Sequence, residues 1–151
     1  MNLWEQHKKT KNDAKNQNLM LHFDPDIEPK LKTLYLSFSR WLRKEYFFPK
    51  KIHIYIRNCE KIRLKNGKPA YGSFRYYQKR TPMIQIPSKV EEHLLGEYTK
   101  EDLYEQILSS FVHELTHYYQ WIDNLEQDNA VSERQANYFR YRIIEQYYLN
   151  R

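Results

Sequence analysis

The sequence contains one cysteine, Cys59, in 151 residues. A single thiol excludes an internal disulfide and suits a reducing cytosol. No apolar run approaches the roughly 20 residues that cross a bilayer. A mean hydropathy of -0.94 and 29% charged residues exclude an integral membrane protein. The stretch from Met1 to His7 has no apolar signal-peptide core, so the expected compartment is cytoplasmic. There is also no internal repeat, low-complexity tract or sign of a second domain, and the length suits one domain with a proper core. Apolar residues reach only 40%, but 14 Tyr and 7 Phe supply large surfaces with polar handles. The net charge of +6 is spread along the chain. That allows a nucleic-acid partner but favours a solvated surface.

Residues 1–22, with Lys8, Lys9, Lys11 and Lys15, read as a flexible basic arm, pinned at most by Trp4 or Leu21. The remaining 23–151 read as one α+β domain: a helix on a small, mainly antiparallel three-stranded sheet, then two further helices. Leu31, Leu34, Tyr35, Phe38, Trp41 and Leu42 recur at helical spacing. They predict a helix capped by Asp26, running to about Tyr46 and stopped by Pro49. Strict alternation of Ile52, Ile54 and Ile56 with His53 and Tyr55 predicts a strand. Asn66-Gly67 marks a turn, and strands are expected over Ala70 to Gln78 and Met83 to Ile86. Ser88 and Glu91 form a capping-box pattern for a short helix closed by Gly96. Thr99, with Asp102 three residues on, caps the next helix, which stays apolar through Trp121. The last helix is expected from Val131 to Tyr148, with Ala136, Phe139, Ile143 and Tyr147 inward.

His113-Glu114-Leu115-Thr116-His117 carries the pattern His-Glu-x-x-His. On a helix, residues four apart share a face, so two imidazoles can grip one metal ion with Glu114 beside it as general base. A catalytic zinc normally takes a third protein ligand and keeps one position for water. Glu133, near the start of the last helix, is the best candidate. Small Ala136, almost a turn later, would let the helices approach. Asp123, Glu126, Asp128 and His93 compete. The chemistry expected is hydrolysis of a peptide bond by water that zinc acidifies and Glu114 deprotonates. A second oxyanion donor is open among Tyr71, Arg75, Tyr118 and Tyr138. A substrate peptide would add to a sheet edge at residues 70–78 or 83–86.

The helix–sheet–helix order, HELTH and the later Ser132-Glu133-Arg134-Gln135-Ala136-Asn137 string with Phe139 resemble the glutamate-liganded zincin metallopeptidases. The likeness is to the ImmA/IrrE family. It implies zinc-dependent cytosolic cleavage of a protein substrate, often a transcriptional repressor. The chain departs from the family in having Thr116 where glycine is common, and it shows no helix-turn-helix. A DNA-associated SprT-like protease is the alternative suggested by charge, although that family uses a third histidine and none follows His117 here. A non-catalytic binding module on the same scaffold is the other. Oligomeric state is left open.

Overall fold

A computed structural model describes residues 2–9 and 18–150. The chain runs β1 (Leu19–Phe23), α1 (Pro29–Glu45), β2 (Ile52–Arg57), β3 (Ile62–Arg63), β4 (Pro69–Ala70), β5 (Ser73–Arg75), β6 (Met83–Pro87), α2 (Lys100–Ile122) and α3 (Asn129–Asn150). Short 3-10 turns lie at Glu5–His7 and Glu92–Leu94. No helix among the described residues is long and apolar enough to cross a membrane.

The fold is mixed α and β, but its sheet is not the expected three-stranded antiparallel one. Four strands lie in the order β1-β2-β6-β5. β1 and β6 each run parallel to β2, and only β5 pairs antiparallel, on β6. The expected strand over Ala70 to Gln78 is split. Pro69–Ala70 closes a separate small hairpin with β3, and Ser73–Arg75 forms the sheet edge. Gly67 supplies the positive φ of the hairpin turn, at 82°. Parallel pairing needs crossover connections, and a run of alternating residues says nothing about strand direction.

Ile52, Ile54, Ile56, Ile84 and Ile86 are fully buried on one sheet face, beneath α1 and α2. That is the alternation expected of β2, and β6 shows it too. In α1, Leu31, Tyr35, Phe38, Trp41 and Leu42 are buried as the helical period requires. Its start differs from expectation. Asp26 adopts φ 67° in a turn and caps nothing, while Pro29 occupies the first turn behind Glu28.

The expected arm is also revised where it is described; Lys11 and Lys15 lie outside the described residues. Residues 19–22 belong to β1. Leu3 and Trp4 are buried, and Trp4 meets Tyr46 and Tyr119 edge-on at ring distances of 5.0 and 4.9 Å. The Trp4 indole donates to Thr116 Oγ1 at 3.0 Å, and Thr116 Oγ1 donates in turn to the Val112 carbonyl. His7 stacks on Tyr119 and lies 3.0 Å from Asp123. These residues close the back of α2.

Candidate metal centre and cleft

The two longest helices build the centre. Thr99 and Asp102 form the reciprocal capping box expected for α2. Leu108, Phe111, Val112, Leu115 and Tyr119 then bury the helix, which leaves His113 and His117 on the face toward α3. Asp128 caps α3 by accepting from the Val131 amide at 2.9 Å. α3 returns antiparallel to α2, with fully buried Ala136 at the approach.

Glu133 spans both imidazoles. Its Oε2 lies 3.1 Å from His113 Nε2, and its Oε1 lies 3.0 Å from His117 Nε2. The two Nε2 atoms are 3.2 Å apart. One donor atom from each residue falls within a 4.8 Å group. Tetrahedral zinc, with bonds of about 2.0–2.1 Å, holds its donors about 3.3 Å apart. The spacing, the nitrogen and oxygen donor types and the count of three therefore fit zinc. The competing acids are engaged elsewhere or stand apart. Asp123 faces His7, Asp128 caps α3, His93 lies 3.3 Å from Glu91, and Glu126 joins no donor cluster among the described residues.

Gln120 sets the tautomer of His117. Its Nε2 donates to the Ser132 carbonyl at 3.0 Å and to Gln135 Oε1 at 2.9 Å. The carbonyl can only accept, so the amide orientation is fixed by the network. Gln120 Oε1 thus faces His117 Nδ1 at 2.8 Å, and the ring proton belongs on Nδ1. The Nε2 lone pair is left for a metal. His113 is kept toward its neutral form by burial first and by His117 second, against the attraction of Glu133. Its Nδ1 is buried and makes no close hydrogen bond, and the Asn137 side chain is the polar neighbour that acts on the ring.

Glu114 is 6% exposed. Burial, with the Glu133 charge behind it, pushes its pKa up to about 8, while Arg140 pulls the other way. Gly72, just before β5, makes room for this carboxylate. A Cβ there would stand 3.1 Å from Glu114 Cγ and 3.2 Å from its Oε2. Glu114, His113 and Glu133 share a cleft of about 520 Å³ with Tyr71, Glu91 and Arg140.

Three of the four oxyanion candidates drop out. The Tyr118 hydroxyl is buried and donates to the Lys50 carbonyl at 2.6 Å. Tyr138 lies under Arg142, and Arg75 reaches the Arg63 carbonyl; neither lines the cleft. Tyr71 remains, with its hydroxyl donating to Glu91 at 2.7 Å. β6 is an interior strand, so Met83 to Ile86 offers no substrate edge, whereas β5 does. The expected capping box at Ser88 is absent. Ser88 Oγ donates to the Arg57 carbonyl, and only a 3-10 turn follows.

Gln120, Gly72 and Arg140 were not singled out from sequence. Gln120 stands three residues after His117, a spacing that shares a helix face and could have pointed to it. Compared with known proteins, the chain matches no family model, no curated protein and no solved structure.

Proposed function

We propose that the chain is a zinc-dependent endopeptidase of the zincin kind, in which His113, His117 and Glu133 hold the metal and Glu114 is the general base. The observation that carries this reading is the convergence of the three donors on α2 and α3, at zinc-like spacing, in a cleft that also holds a buried carboxylate.

Zinc held by His113, His117 and Glu133 would supply Lewis acidity toward water and a peptide carbonyl, would bring the pKa of water toward about 7, and would favour the ionised form of Glu114. Glu114 takes the proton of the attacking water and returns it to the departing amine. Gly72 keeps one side of Glu114 free of side-chain bulk. The edge of β5, which follows Gly72 directly, offers backbone groups to an extended peptide. Tyr71 can swing from Glu91 to donate to the oxyanion. The substrate is a protein, as in the ImmA/IrrE family that the His-Glu-x-x-His and Glu-x-x-Ala-Asn strings resemble.

Elemental analysis of metal-replete protein tests the centre. About one zinc per chain is expected, lost in His117→Ala and Glu133→Ala. A wild-type protein without zinc overturns the reading.

A further inference from the structure

Arg140 is half-buried in the cleft, and no carboxylate lies within ion-pair distance of it among the described residues. Neutral groups hold it instead: two serine hydroxyls and the Tyr141 ring, 5.6 Å from its Cζ. Its Nε and Nη2 donate to Ser109 Oγ at 3.2 and 2.9 Å, and Nη2 also reaches Ser110 Oγ at 3.3 Å. Both serine hydroxyls donate to the Gln106 carbonyl, which leaves their lone pairs for the guanidinium. Ser109 is fully buried and Ser110 nearly so. Two buried polar residues in mid-helix thus orient the arginine without neutralising it. Its Nη1 has no hydrogen-bond partner among the described residues.

The surroundings make that uncompensated charge informative. Glu60, Glu91, Glu114 and Glu133 also line the cleft, and Glu91 already has Lys61 and Tyr71. Apart from a metal at the His113–Glu133 donors, Arg140 and the exposed Lys89 are the cationic groups lining the cleft among the described residues. With Nε and Nη2 engaged by the serines, Nη1 keeps its N–H groups for a charge-assisted hydrogen bond to a carboxylate. Ser109 and Ser110 precede His113 by about one helical turn, or about 5.4 Å. An extended peptide advances about 3.3–3.6 Å per residue, so a carboxylate taken by Nη1 would belong to a residue about two away from a carbonyl held at the metal donors.

We propose that Arg140 determines specificity by binding a substrate carboxylate, from an acidic side chain or a peptide C-terminus, within two residues of the bond cleaved. The position relative to cleavage rests on the peptidase reading; carboxylate capture does not. The test measures retention on immobilised Glu114→Gln protein, with and without chelator. The probes are randomised hexapeptides with Glu or Gln fixed at each position in turn, each with a free or an amidated C-terminus.

At one position, Glu peptides should be retained about ten-fold or more over Gln peptides, or free C-termini over amidated ones. The arm that discriminates identifies the source of the carboxylate. Adding Arg140→Gln should abolish the preference and Arg140→Lys should keep part of it, which separates lost recognition from a shared folding defect. Retention without discrimination, no retention, or a preference untouched by Arg140→Gln overturns the proposal. A zinc-free, inactive protein that still discriminates through Arg140 sinks only the peptidase reading.

Discussion

The two faces of α2 treat polar groups in opposite ways. On the back, Thr116 accepts from Trp4 and donates to Val112, and His7 is matched with Asp123. On the front, His113 Nδ1 makes no close hydrogen bond, Glu114 is buried beside another carboxylate, and Arg140 is held by two serine hydroxyls and the Tyr141 ring. Buried polar groups are normally satisfied because an unsatisfied one costs about 1–3 kcal/mol. The contacts of Thr116 and His7 follow that rule, although Tyr35, packed on Phe111, buries a hydroxyl without a partner; the front face departs from it around the metal donors. Stability and chemistry are thus assigned to opposite sides of one helix.

The contrast can be broken from either side. Glu114→Gln removes the base but none of the metal donors. Turnover should fall about 10²–10⁴-fold while zinc content, read by elemental analysis, stays at the wild-type level. Trp4→Ala attacks the back alone. Urea unfolding should show a loss of about 3–5 kcal/mol, with zinc stoichiometry unchanged at temperatures where the variant is folded. Gln120→Ala frees the His117 ring and should weaken zinc about 10–100-fold in a chelator competition.

The smallest expected effect concerns the rim. The Tyr71 hydroxyl, helped by Lys61 and His93, holds the Glu91 carboxyl below its usual range. A carboxyl with a depressed folded pKa stabilises the fold above its unfolded pKa, near 4.3, and loses that contribution as pH falls through the folded value. Tyr71→Phe should therefore lower stability by about 1 kcal/mol or less near neutrality. Its melting temperature should converge with the wild type in acid; a difference that is constant with pH would remove Glu91 from the account.

Much of the centre was legible because its signals are local. His113 and His117 share a face through helical geometry alone, and Thr99 with Asp102 forms its cap within four residues. Glu133 followed from the ligand count that zinc requires. The Ile52, Ile54 and Ile56 alternation marked β2 for the same local reason. What stayed hidden depends on residues distant in sequence. β1 is a five-residue strand whose partner follows a whole helix, and its parallel direction leaves no mark in its own residues. Ser88 and Glu91 matched a capping pattern, yet the Arg57 carbonyl and Tyr71 hydroxyl took their side chains. Nothing in the neighbourhood of Arg140 along the chain reveals Ser109 across the helix pair. The role of Thr116 was equally hidden, because the indole that donates to it stands near the other end of the described chain.

That indole contact has a consequence for the order of events during synthesis. Trp4 and Thr116 are separated by 112 positions, so on the ribosome the tryptophan emerges long before its acceptor exists. Until α2 is made, the tryptophan has Tyr46 but neither Tyr119 nor Thr116 to cover it, and it can pair wrongly. Its docking closes one of the longest loops the chain can form, a contact of the kind that slows folding. The back of the helix is sealed late, by residues translated early.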